Sequence, residues 1–204
     1  MIWIDSSATL FHDILILCKS KRSSEKAKET AVKYLEKVLK LSVNKEKTHI
    51  SNGNSGIKYL GTVISDGYTV IQEKKLKSFK LKVKKITRRN SPVNLEQVIK
   101  ELNPVMRGFV NYFRICNCKG KLEELMGWIR RRLRAKQLKL WKTPNKLHKQ
   151  LRRMGHYGEF DKIKMSSWKN ACSQVSHLAM PNDYFMKRGL FDMTKVKTGN
   201  LVPC

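Results

Sequence analysis

The stretch GWIRRRLRAKQLKLWK, residues 127–142, carries seven Arg or Lys and no Asp or Glu. Guanidinium and ammonium groups at that density suit one task, the neutralisation of phosphate. A guanidinium fork takes two oxygens at once, while an ammonium acts as a point charge. Arg130, Arg131, Arg134, Lys139 and Lys142 are the candidates here, with Trp128 and Trp141 set among them. An indole among cations either stacks on an exposed base or covers a neighbouring element, and both readings stay open for each Trp. Other reactive groups are scattered. His148, His156 and His177 make no metal-ligand pattern, and Cys116 and Cys118, separated by one Asn, have no second Cys or His pair at zinc-finger distance. Neither a metal site nor a cofactor is expected of this chain.

A helix must position these cations. On a helical wheel of residues 121–142, Leu122, Leu125, Met126, Ile129, Leu133 and Leu140 fall within about 100° of one another. That stripe should pack on two preceding helices, leaving Arg130, Arg131, Arg134, Lys139 and Lys142 pointing away from it. The first of those helices, 72–88, is Lys-rich with Leu76, Phe79, Val83 and Ile86 on one face. Asn90-Ser91-Pro92 breaks it, and Asn94 with Gln97 resembles a capping box for the next helix. At Asn103-Pro104 a kink is expected, or a restart capped by Asn103. These stripes predict a bundle over 72–142 that is stable without residues 1–71.

Upstream, FHDILILCKS reads as a turn and a buried strand. Ser23 should cap a helix to about Leu41 whose face is Ala27, Ala31, Tyr34, Leu35, Val38 and Leu39. LSVNKEKTHI reads as strand and loop, and IKYLGTVISDGYTVI, 57–71, as a hairpin around Asp66-Gly67. The fold class is therefore α+β: strands plus one helix, then a mostly helical bundle, then a small basic C-terminal region. The expected domains are 1–71, 72–142 and 143–204.

The formal net charge is +27, and residues 72–162 hold 26 Lys or Arg against 7 Asp or Glu. Self-repulsion on that scale points to a polyanionic partner, and a basic band on part of the chain is a nucleic-acid footprint. Hydrophobic residues make up 41%, enough for a packed core, which excludes disorder throughout. The apolar run ILILC, 14–18, is far shorter than the ~20 residues of a membrane span, so no membrane partner is expected. An odd count of five cysteines fits reduced thiols and a cytoplasmic location.

Residues 102–142, LNPVMRGFVNYFRICNCKGKLEELMGWIRRRLRAKQLKLWK, closely resemble the maturase-specific domain of bacterial group II intron reverse transcriptases. The carriers are Asn103-Pro104, Arg107-Gly108, Asn111-Tyr112-Phe113, Trp128 with Ile129 to Arg134, and Trp141-Lys142. FHDILILCKSKRSSEKA, VNKEKTHI and IKYLGTVI resemble the last palm segments of such enzymes, and SSWKNA and NDYFMKRGLFDM the small region after the thumb. The resemblance implies a palm remnant over 1–71 and a thumb that also grips intron RNA, from a mobile element. It implies RNA-directed DNA polymerase ancestry with Mg²⁺ in the complete enzyme. It departs at 10–13, where Leu10-Phe11-His12-Asp13 stands for the family's Tyr-Ala-Asp-Asp. Only Asp13 remains of the aspartate pair, and His12 replaces the other. Two-metal nucleotidyl transfer needs several carboxylates, because hard Mg²⁺ takes oxygen ligands. With the fingers expected to lie before residue 1, no polymerase activity is expected of this chain alone.

Three readings stay open. The first is a truncated RNA-binding maturase module that assists splicing. The second is the C-terminal half of a split reverse transcriptase completed by an upstream chain. The third is a degraded gene product without function. Under the first, structured RNA, as group II intron RNA, is the partner, with DNA left open. Its candidate RNA-binding residues are Arg130, Arg131, Arg134, Lys139, Lys142, Trp128, Trp141, Asn111, Tyr112, Arg107, Lys82, Lys85, Arg152 and Arg153.

Overall fold

The computed structural model describes residues 2–6, 12–44, 46–52, 56–65, 68–157 and 168–199. The fold is α+β, with six strands and one helix followed by six further helices among the described residues. It forms two compact units, Met1–Gln72 and Glu73–Cys204.

In the first unit, β1 (Ile2–Ser6) pairs antiparallel with β2 (His12–Ile16), and β3 (His49–Ile50) joins the other edge of β1. The register sets Asp5 opposite Asp13 and Ser6 opposite His12. Helix α1 (Lys21–Lys37) closes a small core in which Leu35 is buried among Ile14, Ile16, Ala27, Ala31, Val43 and Ile50. Its cap is Ser20, not Ser23. Ser20 is extended, and its Oγ accepts the backbone N–H of Ser23 at 3.2 Å, so the helix starts one residue after it. The helix ends at Lys37, short of Leu41. Tyr34, Val38 and Leu39 stand exposed, because Ala27, Ala31 and Leu35, four apart, already fill the inward row.

The segment expected as one hairpin is a three-stranded meander of β4 (Ile57–Tyr59), β5 (Thr62–Ser65) and β6 (Tyr68–Ile71). Asp66-Gly67 lies outside the described residues. The added turn is Leu60-Gly61, with φ of 45° and 82°. Positive φ at both central residues is the type I′ pattern whose twist matches the flanking strands. Gly61 adopts it freely, whereas Leu60 is a residue that rarely signals it.

In the second unit, α2 (Glu73–Ile86), α3 (Leu95–Tyr112) and α4 (Lys119–Trp141) build the core. Leu76, Phe79 and Val83 of α2 meet Leu102, Met106 and Val110 of α3 and Leu122, Leu125, Ile129 and Leu133 of α4, all buried. The Phe79 and Phe109 rings stack at 4.1 Å. Asn94 caps α3 as expected, its Oδ1 accepting from the Gln97 N–H at 2.8 Å. At Pro104 the helix neither stops nor restarts. Asn103 does not cap there. Its Nδ2 donates to the Gly189 carbonyl at 2.8 Å, and its Oδ1 accepts from the Phe191 N–H at 2.9 Å. Leu102 and Met106, wholly buried on either side, hold α3 continuous past the missing donor.

Helix α5 (Pro144–Arg153) follows a break at Lys142, whose φ of 62° ends α4. Short helices α6 (Gln174–Ala179) and α7 (Asn182–Met186) and a 3-10 turn at Met193–Lys195 then pack back on the bundle. They bury Met180, Phe185, Leu190 and Met193.

Candidate nucleic-acid interface

Helix α4 carries eight Lys or Arg, and much of that charge is used inside the protein. Arg134 is 4% exposed. Its Nε donates to the Met180 carbonyl at 2.9 Å, its Nη2 to Asn182 Oδ1 at 3.4 Å, and its guanidinium lies 5.6 Å from the Phe185 ring centre. Burial and the nearby Arg130 pull its pKa down from the usual arginine value. Arg130 is largely covered and pairs with Asp192 at 3.2 Å. The expectation that Arg130 and Arg134 point away from the apolar stripe is thus corrected. The elements after residue 142 pack against that side of α4, and both side chains anchor them.

Two more cations hold the loop between α2 and α3. Arg132 donates from Nε to Thr87 Oγ1 at 2.7 Å and from Nη2 to the carbonyls of Thr87 and Lys84 at 3.3 and 3.4 Å. Those carbonyls are at the C-terminal end of α2, where a cation also meets the negative end of the helix dipole. Lys136 is fully buried, and its ammonium donates to the Arg88 carbonyl, the Ser91 carbonyl and Ser91 Oγ at 3.2, 2.9 and 3.0 Å. Three donors meet three acceptors, which is what a buried ammonium requires. Burial still lowers its pKa, with Glu101 opposing. Leu140, placed on the stripe, is only half-buried, and Leu138 is buried in its stead.

Arg131 and Lys139 remain exposed on α4, and Lys142 is exposed just past its end. On α2, Lys74, Lys75, Lys77, Lys82, Lys84 and Lys85 are exposed, followed by Arg88 and Arg89. On α5, Lys146, Lys149, Arg152 and Arg153 face solvent while Leu147 and Leu151 are buried. Among the described residues of this unit, acidic partners engage only Lys80 and Lys121, both on Glu124, and Arg130 on Asp192. Asn111 and Tyr112 are exposed near the end of α3, and Arg107 lies 5.2 Å from the Phe191 ring centre.

Three grooves collect these residues. One of about 570 Å³ joins Trp141 to Lys146, Lys149, Arg153 and Arg188. One of about 430 Å³ joins Lys82 to Tyr112 beside Gly108. One of about 340 Å³ joins Trp128 and Arg131 to Arg89, Arg132 and Lys169. Lys146, Lys149, Arg89, Arg132, Lys169 and Arg188 were not among the expected residues. Lys146 and Lys149, at helical spacing with the expected Arg153 and opposite Leu147 and Leu151, were findable from periodicity. Lys169 and Arg188 come from distant segments and left no local signal.

Of residues 10–13 only the backbone of two is described: His12 and Asp13 open β2, and Leu10 and Phe11 lie outside the described residues. No group of three or more His, Cys, Asp or Glu that could hold a metal ion occurs among the described residues. No described helix is long and apolar enough to cross a membrane.

No curated protein matches the chain. Residues 76–157 match the family model described as the group II intron, maturase-specific domain. The matched stretch runs from the first buried residue of α2 to just beyond α5, so it holds the three core helices, the buried cation anchors of α4 and the exposed cations of α5. Over residues 76–157 this chain is similar to the maturase-specific domain of the group II intron kind.

Proposed function

We propose that the chain is an RNA-binding module that holds structured group II intron RNA and assists its splicing. The observation that carries this reading is the exposed charge on and just before the matched stretch, which has no acidic partner among the described residues. Lys74, Lys75, Lys77, Lys82, Lys84 and Lys85 leave α2 on its open side, and Arg131, Lys139, Lys142, Lys149, Arg152 and Arg153 do so on α4, just past its end and on α5. Each phosphate they neutralise releases counterions, so affinity falls steeply with salt. Charge alone is blind to sequence, and choice of an intron comes from shape and from unpaired bases. Polymerase activity is not part of the proposal, since His12 stands where Mg²⁺ chemistry needs a carboxylate.

The test is a titration of a folded group II intron RNA and an unrelated RNA of equal length, each at two salt concentrations. The intron RNA is expected to bind tighter. Changing Arg131, Lys139 and Lys142 together to Ala should weaken binding and flatten the salt slope by about two to three units, roughly one for each phosphate no longer neutralised. Equal binding of both RNAs would sink the intron reading, and an unchanged slope in a folded triple variant would move the RNA face elsewhere.

A further inference from the structure

We propose that the groove of about 340 Å³ beside Trp128 is a pocket for one unpaired RNA nucleotide, the base against the indole and the phosphate among Arg89, Arg131 and Lys169. The proposal rests on the RNA-binding reading and deepens it.

The groove has one aromatic wall and cations around it, and no carboxylate lines it. Its wall is fixed in advance. The Arg132 guanidinium lies 5.4 Å from the Trp128 ring centre, and three hydrogen bonds to Thr87 and Lys84 hold that guanidinium in place. A side chain already immobilised loses little entropy when a ligand arrives. Lys169 is steadied in the same way, its ammonium 5.1 Å from the ring centre of Trp168, which is 2% exposed. Arg89 and Arg131 are exposed, with no acidic partner among the described residues. Burial first, and then Arg131, push the Arg132 pKa below the usual arginine value, consistent with like charges that lack a counter-ion.

Asn170 supplies a polar edge. Its Oδ1 accepts from the Cys172 N–H at 2.9 Å, and its amide nitrogen is uncommitted among the described residues, free to donate to a base. Size and chemistry exclude a paired duplex, whose bases are stacked away from side chains. An unstacked base on an indole or guanidinium plane, with its phosphate on nearby cations, fits both.

The test uses the full chain and three RNA hairpins of equal length and charge: fully paired, with one bulged nucleotide, and with the bulge made abasic. The bulged hairpin should bind about tenfold tighter than the other two, as stacking of one base contributes about 1–3 kcal/mol. Trp128→Leu should erase that preference, and Trp128→Phe should retain part of it. Ala171→Phe, which adds bulk at another lining residue of the groove, should also erase it and covers the case in which Trp128→Leu does not fold. Equal binding of the three hairpins, or a preference that survives in folded Trp128→Leu and Ala171→Phe, overturns the pocket and leaves the RNA-binding reading standing. Absence of binding to every hairpin and to intron RNA removes both.

Discussion

Arg131 is open to solvent, whereas Arg134, three residues on, is 4% exposed and bonded to the Met180 carbonyl. The two should respond differently to the same change. Arg134→Ala removes charge-assisted bonds and leaves a buried carbonyl without its donor, so a loss of about 2–3 kcal/mol in urea denaturation is expected. Arg131→Ala should stay within about 0.5 kcal/mol, while lowering RNA affinity. The sequence pointed to helix α4 and to its stripe as far as Leu133, because apolar residues at 3.6 spacing report a buried face. It did not point to Arg134, Lys136 and Leu138 as the buried continuation. A cation becomes an anchor only when a carbonyl from a distant segment meets it, and nothing local to residues 134–136 announces Met180, Arg88 or Ser91. Cys116 offers a pH readout at the same scale. Burial, reinforced by Cys118, raises its thiol pKa from 9.0 to about 11. A folded value above the unfolded one gives stability that is complete below pH 9 and lost as pH rises from 9 to 11. Denaturation midpoints across that window should therefore fall more steeply in the parent chain than in Cys116→Ala.

Among elements, α3 shows how a local rule is overridden. Asn103-Pro104 has the composition of a helix start, yet the helix runs through, and Asn103 turns outward to hold the chain at Gly189 and Phe191. Asn103→Ala should cost about 1–3 kcal/mol by removing two hydrogen bonds, one of which leaves a backbone N–H unpaired, and thermal melting would show it. Gly108, five residues on, has no heavy atom within 4 Å of where a Cβ would sit. No close approach among the described residues requires a glycine there. Gly108→Ala should then raise stability by up to about 1 kcal/mol through helix propensity alone. If the same change weakens RNA binding, the groove shared by Lys82 and Tyr112 needs the space. The helices α2 to α4 were legible because each carries a long periodic stripe. The Leu60-Gly61 turn was not, since Leu is an uncommon residue at positive φ and Asp66-Gly67 drew the reading to a single hairpin.

For the molecule as a whole, the bonds of α4 tie the bundle to the segment that follows it. A chain of residues 72–142 alone would leave Arg130 without Asp192 and Arg134 without Met180 and Asn182. The apolar stripes alone predict a stable bundle over 72–142, but with these bonds lost such a piece is expected to show weak, non-cooperative helix by circular dichroism, whereas residues 73–199 should melt in one transition. RNA that binds only the folded state should raise the melting temperature as its concentration climbs above its Kd. The buried cations add one more consequence. Arg132, Arg134 and Lys136 take their partners from carbonyl and hydroxyl oxygens within the fold, where dissolved ions screen far less than at the surface. The positive charge of α4 is therefore divided between a part that ionic strength can reach and a part that it cannot. Molar salt should strip RNA from the chain and leave its helices intact, so that a single salt step would release a bound transcript and return the protein ready to bind again.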